Sequence, residues 1–119
     1  PDSTAAALRS LKSASADRRV AILGDMGELG ADENALHYET GRTAAENGVD
    51  LLITCGALSK HTAAGARQAG LPDVRSYDSL EDVIAALSAL IRPGDRVLVK
   101  ASHSMQFEKI VSALGQLHP

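Results

Sequence analysis

The chain has 119 residues, a length that suits one domain and buries roughly two-thirds of the surface exposed when unfolded. It is 45% hydrophobic but only 3% aromatic, with net charge −3 and no basic cluster, so its core is aliphatic and a nucleic-acid platform is excluded. The single cysteine, Cys55, rules out an internal disulfide. With no apolar run near the ~20 residues of a bilayer span and no signal peptide, it points to a cytoplasmic protein.

The chain opens on Pro1-Asp2, without methionine, and enters a helical pattern almost at once. It is therefore expected to be a fragment of a longer polypeptide. Asp2 or Ser3 is the expected cap of a first helix running to about Ser13, anchored by Leu8 and Leu11. Val20 to Leu23 is a short continuous apolar run, as in a strand covered on both faces. It leads into the glycine-rich stretch Gly24-Asp25-Met26-Gly27-Glu28-Leu29-Gly30. A second helix is expected from about Glu33 to Asn47, with a weak apolar face of Leu36, Ala44 and Ala45, and Gly48 just beyond. Leu51 to Cys55 reads as a second buried strand closed by Gly56, and Leu58 to Ala69 as a third helix. Val74 to Tyr77 is a weaker strand. The clearest helix follows, with Leu80, Val83, Ile84, Leu87, Leu90 and Ile91 on one face, capped by Asp78 or Ser79 and stopped by Pro93-Gly94-Asp95. Val97 to Val99 is the fourth strand. A last helix is expected from about Met105, with Phe107, Ile110, Val111, Leu114 and Leu117 inward.

Strands alternating with helices predict an α/β fold: a three-layer, doubly wound, Rossmann-like and mostly parallel sheet with helices on both faces. The expected strand order is 3-2-1-4. Ligands on such sheets bind beyond the carboxyl ends of the strands, where the order reverses. That point brings Gly24 to Glu28 beside Lys100-Ala101-Ser102-His103-Ser104.

The glycines stand at G-x-x-G-x-x-G, not the G-x-G-x-x-G of a dinucleotide turn, and Asp25 and Glu28 would repel phosphate. They suit a cation, most simply an ammonium group. Lys100, Ser102, Ser104 and the start of the last helix form an expected carboxylate or phosphate site, with one serine as a cap. His37 lies near the glycine loop and His103 in the switch-point segment. No His has metal-ligand spacing, and Cys55 reads as a core thiol. Acid on one lip and base on the other suit a small zwitterion, such as an amino acid or dipeptide. A receiver domain would need an acceptor Asp where the second strand ends in Thr54-Cys55-Gly56.

R-R-V-A-I-L-G-D-M-G-E-L-G, then His37 and Gly41, then V-L-V-K-A-S-H-S-M-Q-F-E-K-I-V, resemble the carboxy-terminal domain of a Mur ligase. The likeness covers nearly the whole chain, residues 1–119. The family pattern often has Gly where this chain has Ala101, and Arg where it has His103. The resemblance implies a three-domain, ATP-dependent ligase of peptidoglycan precursor synthesis that joins D-alanyl-D-alanine to UDP-N-acetylmuramoyl-tripeptide through an acyl phosphate. It implies that ATP and Mg²⁺ sit mainly on a central ATPase domain outside this chain, and that this chain alone is inactive. Asp25, Glu28, His37, Lys100, Ser102 and His103 would then face the incoming dipeptide. The alternatives are another Mur-type amino-acid ligase domain or a free-standing nucleotide-binding module.

Overall fold

The computed structural model describes residues 2–117, with side chains from Ser3 onward. His118 and the capping expected of Asp2 lie outside what is described. The elements are α1 (Asp2–Ser13), β1 (Arg18–Gly24), α2 (Glu33–Glu46), β2 (Leu51–Cys55), α3 (Ser59–Gln68), β3 (Asp73–Tyr77), α4 (Leu80–Leu90), β4 (Asp95–Lys100) and α5 (Glu108–Leu117). The four strands form one parallel sheet in the order β3-β2-β1-β4, as the alternation predicts. The order reverses between β1 and β4.

Side chains alternate across a strand, so each strand feeds two cores. Val20, Ile22, Leu51 and Ile53 point to α4 and α5 and meet Val83, Leu87 and Ile110. Ala21, Leu23 and Leu52 point to α1, α2 and α3 and meet Leu8, Leu11, Ala44 and Ala66. Cys55 is buried in the first core, and burial pushes its thiol above the ordinary value, with the Asp25 charge adding to the effect. It is a core residue, as expected.

Two neighbouring arginines use the same alternation. Arg18 reaches the α4 face, donating from Nη2 to the Leu90 carbonyl at 2.6 Å and gripping Asp95 through Nε and Nη2 at 2.9 and 2.7 Å. Arg19 reaches the α1 face, donating to the carbonyls of Leu11 at 3.0 Å and Ala14 at 2.6 Å. Each guanidinium thus satisfies carbonyls at one helix's carboxyl end, where cations are favoured.

The α2–α3 crossing explains the weak apolar face of α2. That face buries His37, Thr40, Gly41 and Ala44, while Leu36 is only partly covered. A Cβ on Gly41 would overlap the Thr62 carbonyl, and one on Gly65 would overlap the Tyr38 carbonyl. The helices touch backbone to backbone, and glycine replaces a hydrophobic seam.

Three boundaries differ from expectation. β4 extends to Asp95–Lys100 because its ladder with β1 runs from Arg18↔Asp95 to Leu23↔Lys100. Ser3 sits inside the first turn of α1, not before it. The last helix starts at Glu108, because a 3-10 turn (His103–Met105) and a left-handed Gln106 (φ 57) intervene. Val111 is 56% exposed and not inward; it sits about 100° round the helix from buried Ile110. Ser79 does cap α4, its hydroxyl accepting from the Asp82 N–H at 3.1 Å.

Gly41→Ala should destabilise the fold by about 3 kcal/mol in a denaturant titration, because backbone must move. Gly115→Ala, in α5 with open space around its Cβ, should stabilise by about 0.5–1 kcal/mol. Asp95 gives the acid limb. Burial opposes its ionisation, but hydrogen bonds from Arg18 and the Arg92 N–H win and hold its carboxyl below the ordinary 3.8. The unfolded chain therefore binds this proton more readily. The contribution is complete above that value and is lost as pH falls through the depressed one. Asp95→Asn should be less stable than the parent at pH about 7, with the gap narrowing by pH about 3.

Candidate functional site

The carboxyl end of β1 turns at Gly24-Asp25-Met26, and three other elements hold that turn. The Asp25 carboxylate is directed at α3: Oδ1 accepts the Ser59 N–H at 2.8 Å and the Ser59 hydroxyl at 2.7 Å. It lies over Gly56, where a Cβ would stand 2.5–2.6 Å from the carboxylate oxygens. A negative charge at a helix amino end is favoured by the exposed N–H groups. The Asp25 carbonyl accepts the Ser102 N–H at 3.0 Å, joining the β1 loop to the segment after β4. The Met26 N–H donates to His37 Nε2 at 3.0 Å.

His37 is fully buried, and its Nδ1 donates to the Glu33 carbonyl at 2.6 Å. Both ring nitrogens are engaged within the chain. The expectation of a ligand-touching His37 is therefore corrected: it meets the loop's backbone instead. The expectation that Asp25 opens onto the crevice is corrected too, since its carboxylate closes on α3. Ser59, unforeseen, is the partner; its only sequence signal was a hydroxyl residue at the start of a helical run after Gly56.

The three loop glycines have separate reasons. At Gly24 a Cβ would stand 2.5 Å from Phe107 Cζ and 2.8 Å from Ala101 Cβ, so glycine admits the ring. Gly30 has φ 74, a left-handed turn that favours glycine. Gly27 lies open beside Ser102. Glu28 is exposed and itself left-handed, at φ 58.

Lys100, Ala101 and Ser102 form a wall between two clefts. One, of about 190 Å³, opens toward α1 and is also lined by Thr4, Met26, Gly27 and Leu29. The other, of about 270 Å³, opens toward α5 and is also lined by Val99, His103, Phe107 and Val111. Lys100 and Ser102 line both; exposed His103 lines the second. Asp25, Glu28 and His37 line neither. The serines do not cap α5, which starts later; Ser102 Oγ instead lies 3.2 Å from Ser104 Oγ. Among the described residues, no three His, Cys, Asp or Glu are grouped to hold a metal ion, and no helix is long and apolar enough to cross a membrane.

This wall and the glycine loop opposite it belong to a recognisable domain. A family model described as Mur ligase, glutamate ligase domain, matches residues 1–103. The chain belongs to the Mur ligase family. It corresponds to the carboxy-terminal domain. A UDP-N-acetylmuramoyl-tripeptide–D-alanyl-D-alanine ligase of Bacillus subtilis is 35% identical over 98 residues, covering 82% of this chain and 21% of that protein. Its counterpart in Synechocystis is 34% identical over 118 residues, 99% of this chain and 26% of that protein. In fold, the chain superposes on MurF from Acinetobacter baumannii with a TM-score of 0.81 at 24% identity, covering 98% of this chain and 25% of that one. Thermotoga maritima MurF, solved in complex with ADP, gives a TM-score of 0.76 at 18% identity, covering 98% of this chain and 26% of that one. The chain thus spans about a quarter of the length of the relatives it matches.

Asp25→Ala would leave both Ser59 donors without their acceptor. It should lower stability by about 1–2 kcal/mol in denaturant, the range of a lost helix cap. A loss below about 0.3 kcal/mol would show that the carboxylate does not hold α3.

Proposed function

We propose that this domain serves a ligase that joins D-alanyl-D-alanine to UDP-N-acetylmuramoyl-tripeptide, and that it receives the incoming dipeptide. The observation that carries the reading is Lys100. It stands at the switch point, lines both clefts, and makes no ion pair among the described residues. A free cation beside the Ser102 hydroxyl suits a carboxylate, which takes charge-assisted hydrogen bonds. On the opposite loop, Glu28 is exposed and likewise has no ion pair among the described residues. It lines neither cleft, so in this reading its charge draws the dipeptide's ammonium end through the field and not by contact. His103, on the rim of the second cleft, would meet the dipeptide's outer end.

ATP and Mg²⁺, which the family implies, would be held mainly outside this chain, which has no G-x-x-x-x-G-K-[ST] loop and, among the described residues, no three His, Cys, Asp or Glu grouped for a metal ion. In this reading they are bound mainly by the central ATPase domain of the full polypeptide, where ATP would give its terminal phosphoryl group to the tripeptide's carboxylate and leave as ADP. The contribution of this chain is to bind and orient the attacking amine, and alone it performs no ligation.

The test is Lys100→Met in the complete ligase carrying this chain. Loss of one charge-assisted hydrogen bond, about 1.5–3 kcal/mol, corresponds to a fall of roughly 10- to 150-fold in kcat/KM for D-alanyl-D-alanine. The KM for ATP should stay within about twofold. An unchanged dipeptide response with impaired ATP kinetics would place Lys100 at the nucleotide instead. Turnover of a single amino acid in preference to the dipeptide would assign the domain to another Mur-type ligase.

A further inference from the structure

We infer that His37 is the positioning residue for the substrate-facing loop. From inside α2 it fixes the Met26 amide and, through it, the backbone that lines the cleft toward α1. The inference rests on the dipeptide-site reading above.

The tautomer follows from the partners. The Glu33 carbonyl can only accept, so Nδ1 carries the proton; the Met26 N–H can only donate, so Nε2 is bare. The ring cannot turn over without breaking both bonds, and it is fully buried. Its helix is held in turn by the backbone contact at Gly41 and Gly65. A rigid element therefore presents one acceptor at one place.

The place matters because Met26 is the last residue of the loop so tied. Up to Gly24 the chain lies in the β1 ladder, and Asp25 is held by Ser59 and Ser102. Beyond Met26, no hydrogen bond ties Gly27, Glu28 or Leu29 to another element among the described residues. Met26, Gly27 and Leu29 are the loop's contribution to that cleft, facing Lys100 and Ser102. The Met26 sulfur also receives the Thr4 hydroxyl at 3.8 Å, so its side chain links the loop to α1. Without the bare nitrogen the Met26 N–H would be a half-buried donor with no acceptor, and the loop would shift to satisfy it.

Two substitutions separate the acceptor from the bulk of the ring. His37→Leu keeps the apolar volume and removes the acceptor; His37→Gln offers a carbonyl oxygen near the Nε2 position. In the complete ligase, His37→Leu should raise the KM for D-alanyl-D-alanine about tenfold and leave the KM for ATP within about twofold. His37→Gln should recover most of the loss. A folded His37→Leu enzyme with parental dipeptide KM would overturn the inference. So would equal damage to both substrates, or a Gln variant as impaired as the Leu variant. Hydrogen exchange on the unsubstituted chain is independent of whether the variants fold. The Met26 amide should be as protected as the amides of β1, and exchange at the rate of an open loop would overturn the inference. Normal dipeptide kinetics in Lys100→Met, beside a slow Met26 amide, would mark failure of the substrate reading and not of the His37 tether.

Discussion

The site hangs on one turn, the three residues that carry β1 out of the sheet. β1 is an inner strand, paired on both sides, so its end is placed by the ladders before any side chain acts. From there the chain reaches three elements in two residues. Asp25 uses its carboxylate on Ser59 and its carbonyl on Ser102, and Met26 uses its N–H on His37. Backbone polar groups at a strand end need partners as much as those within it. Here the partners come from α2, α3 and the segment after β4, so satisfying the turn also sets the spacing of those elements.

The other end of the sheet is secured by a different device with the same logic. Arg18 and Arg19 are adjacent, so they leave the strand on opposite faces. One satisfies the end of α4, the other the end of α1. Arg18 also closes on Asp95, whose side chain is only 2% exposed. A pair this well enclosed has little net worth against an apolar replacement, yet breaking it leaves one buried charge unmatched. Its value lies in register: Arg18 pairs with Asp95 across the β1–β4 ladder, so their side chains meet only when those strands are in step.

The fold was legible because its signals are periodic. Continuous apolar runs marked β1 and β2, and the i, i+3, i+4 stripe marked α4, with its cap narrowed to Asp78 or Ser79. The strand order followed from alternation. The misreadings share a cause: they fall where polar or small residues do what apolar ones do elsewhere. Gly41 and Gly65 join α2 to α3 through absent side chains, which no hydrophobicity pattern registers. Gln106 breaks the last helix by adopting a left-handed conformation that glycine or asparagine would have advertised. At the site, sequence placed the correct segments together but not the directions of their side chains. Asp25 turns toward α3 because Ser59 is there to receive it, a partner 34 residues away. His37 was found by its nearness to the loop, but its full burial and its bond to the Met26 N–H were not legible from sequence spacing.

The result is a division of labour between neighbouring charges. Asp25 has a nearby donor pair and is committed to the fold. Lys100, at the end of β4, and Glu28, on the free part of the loop, have no ion-pair partner among the described residues. Bonds between rigid elements carry the structure, so the remaining charges need not. An ion pair between Lys100 and Glu28 would have to be broken before either charge could act on anything else. Bonds from Asp25 and Met26 hold the turn instead, so Lys100 lines both clefts and Glu28 lies exposed outside them, with no ion pair between the two. The conformational entropy of ordering the turn as far as Met26 is met on folding. The glycines permit the turn, and the buried histidine and Ser59 fix it without drawing on Lys100 or Glu28.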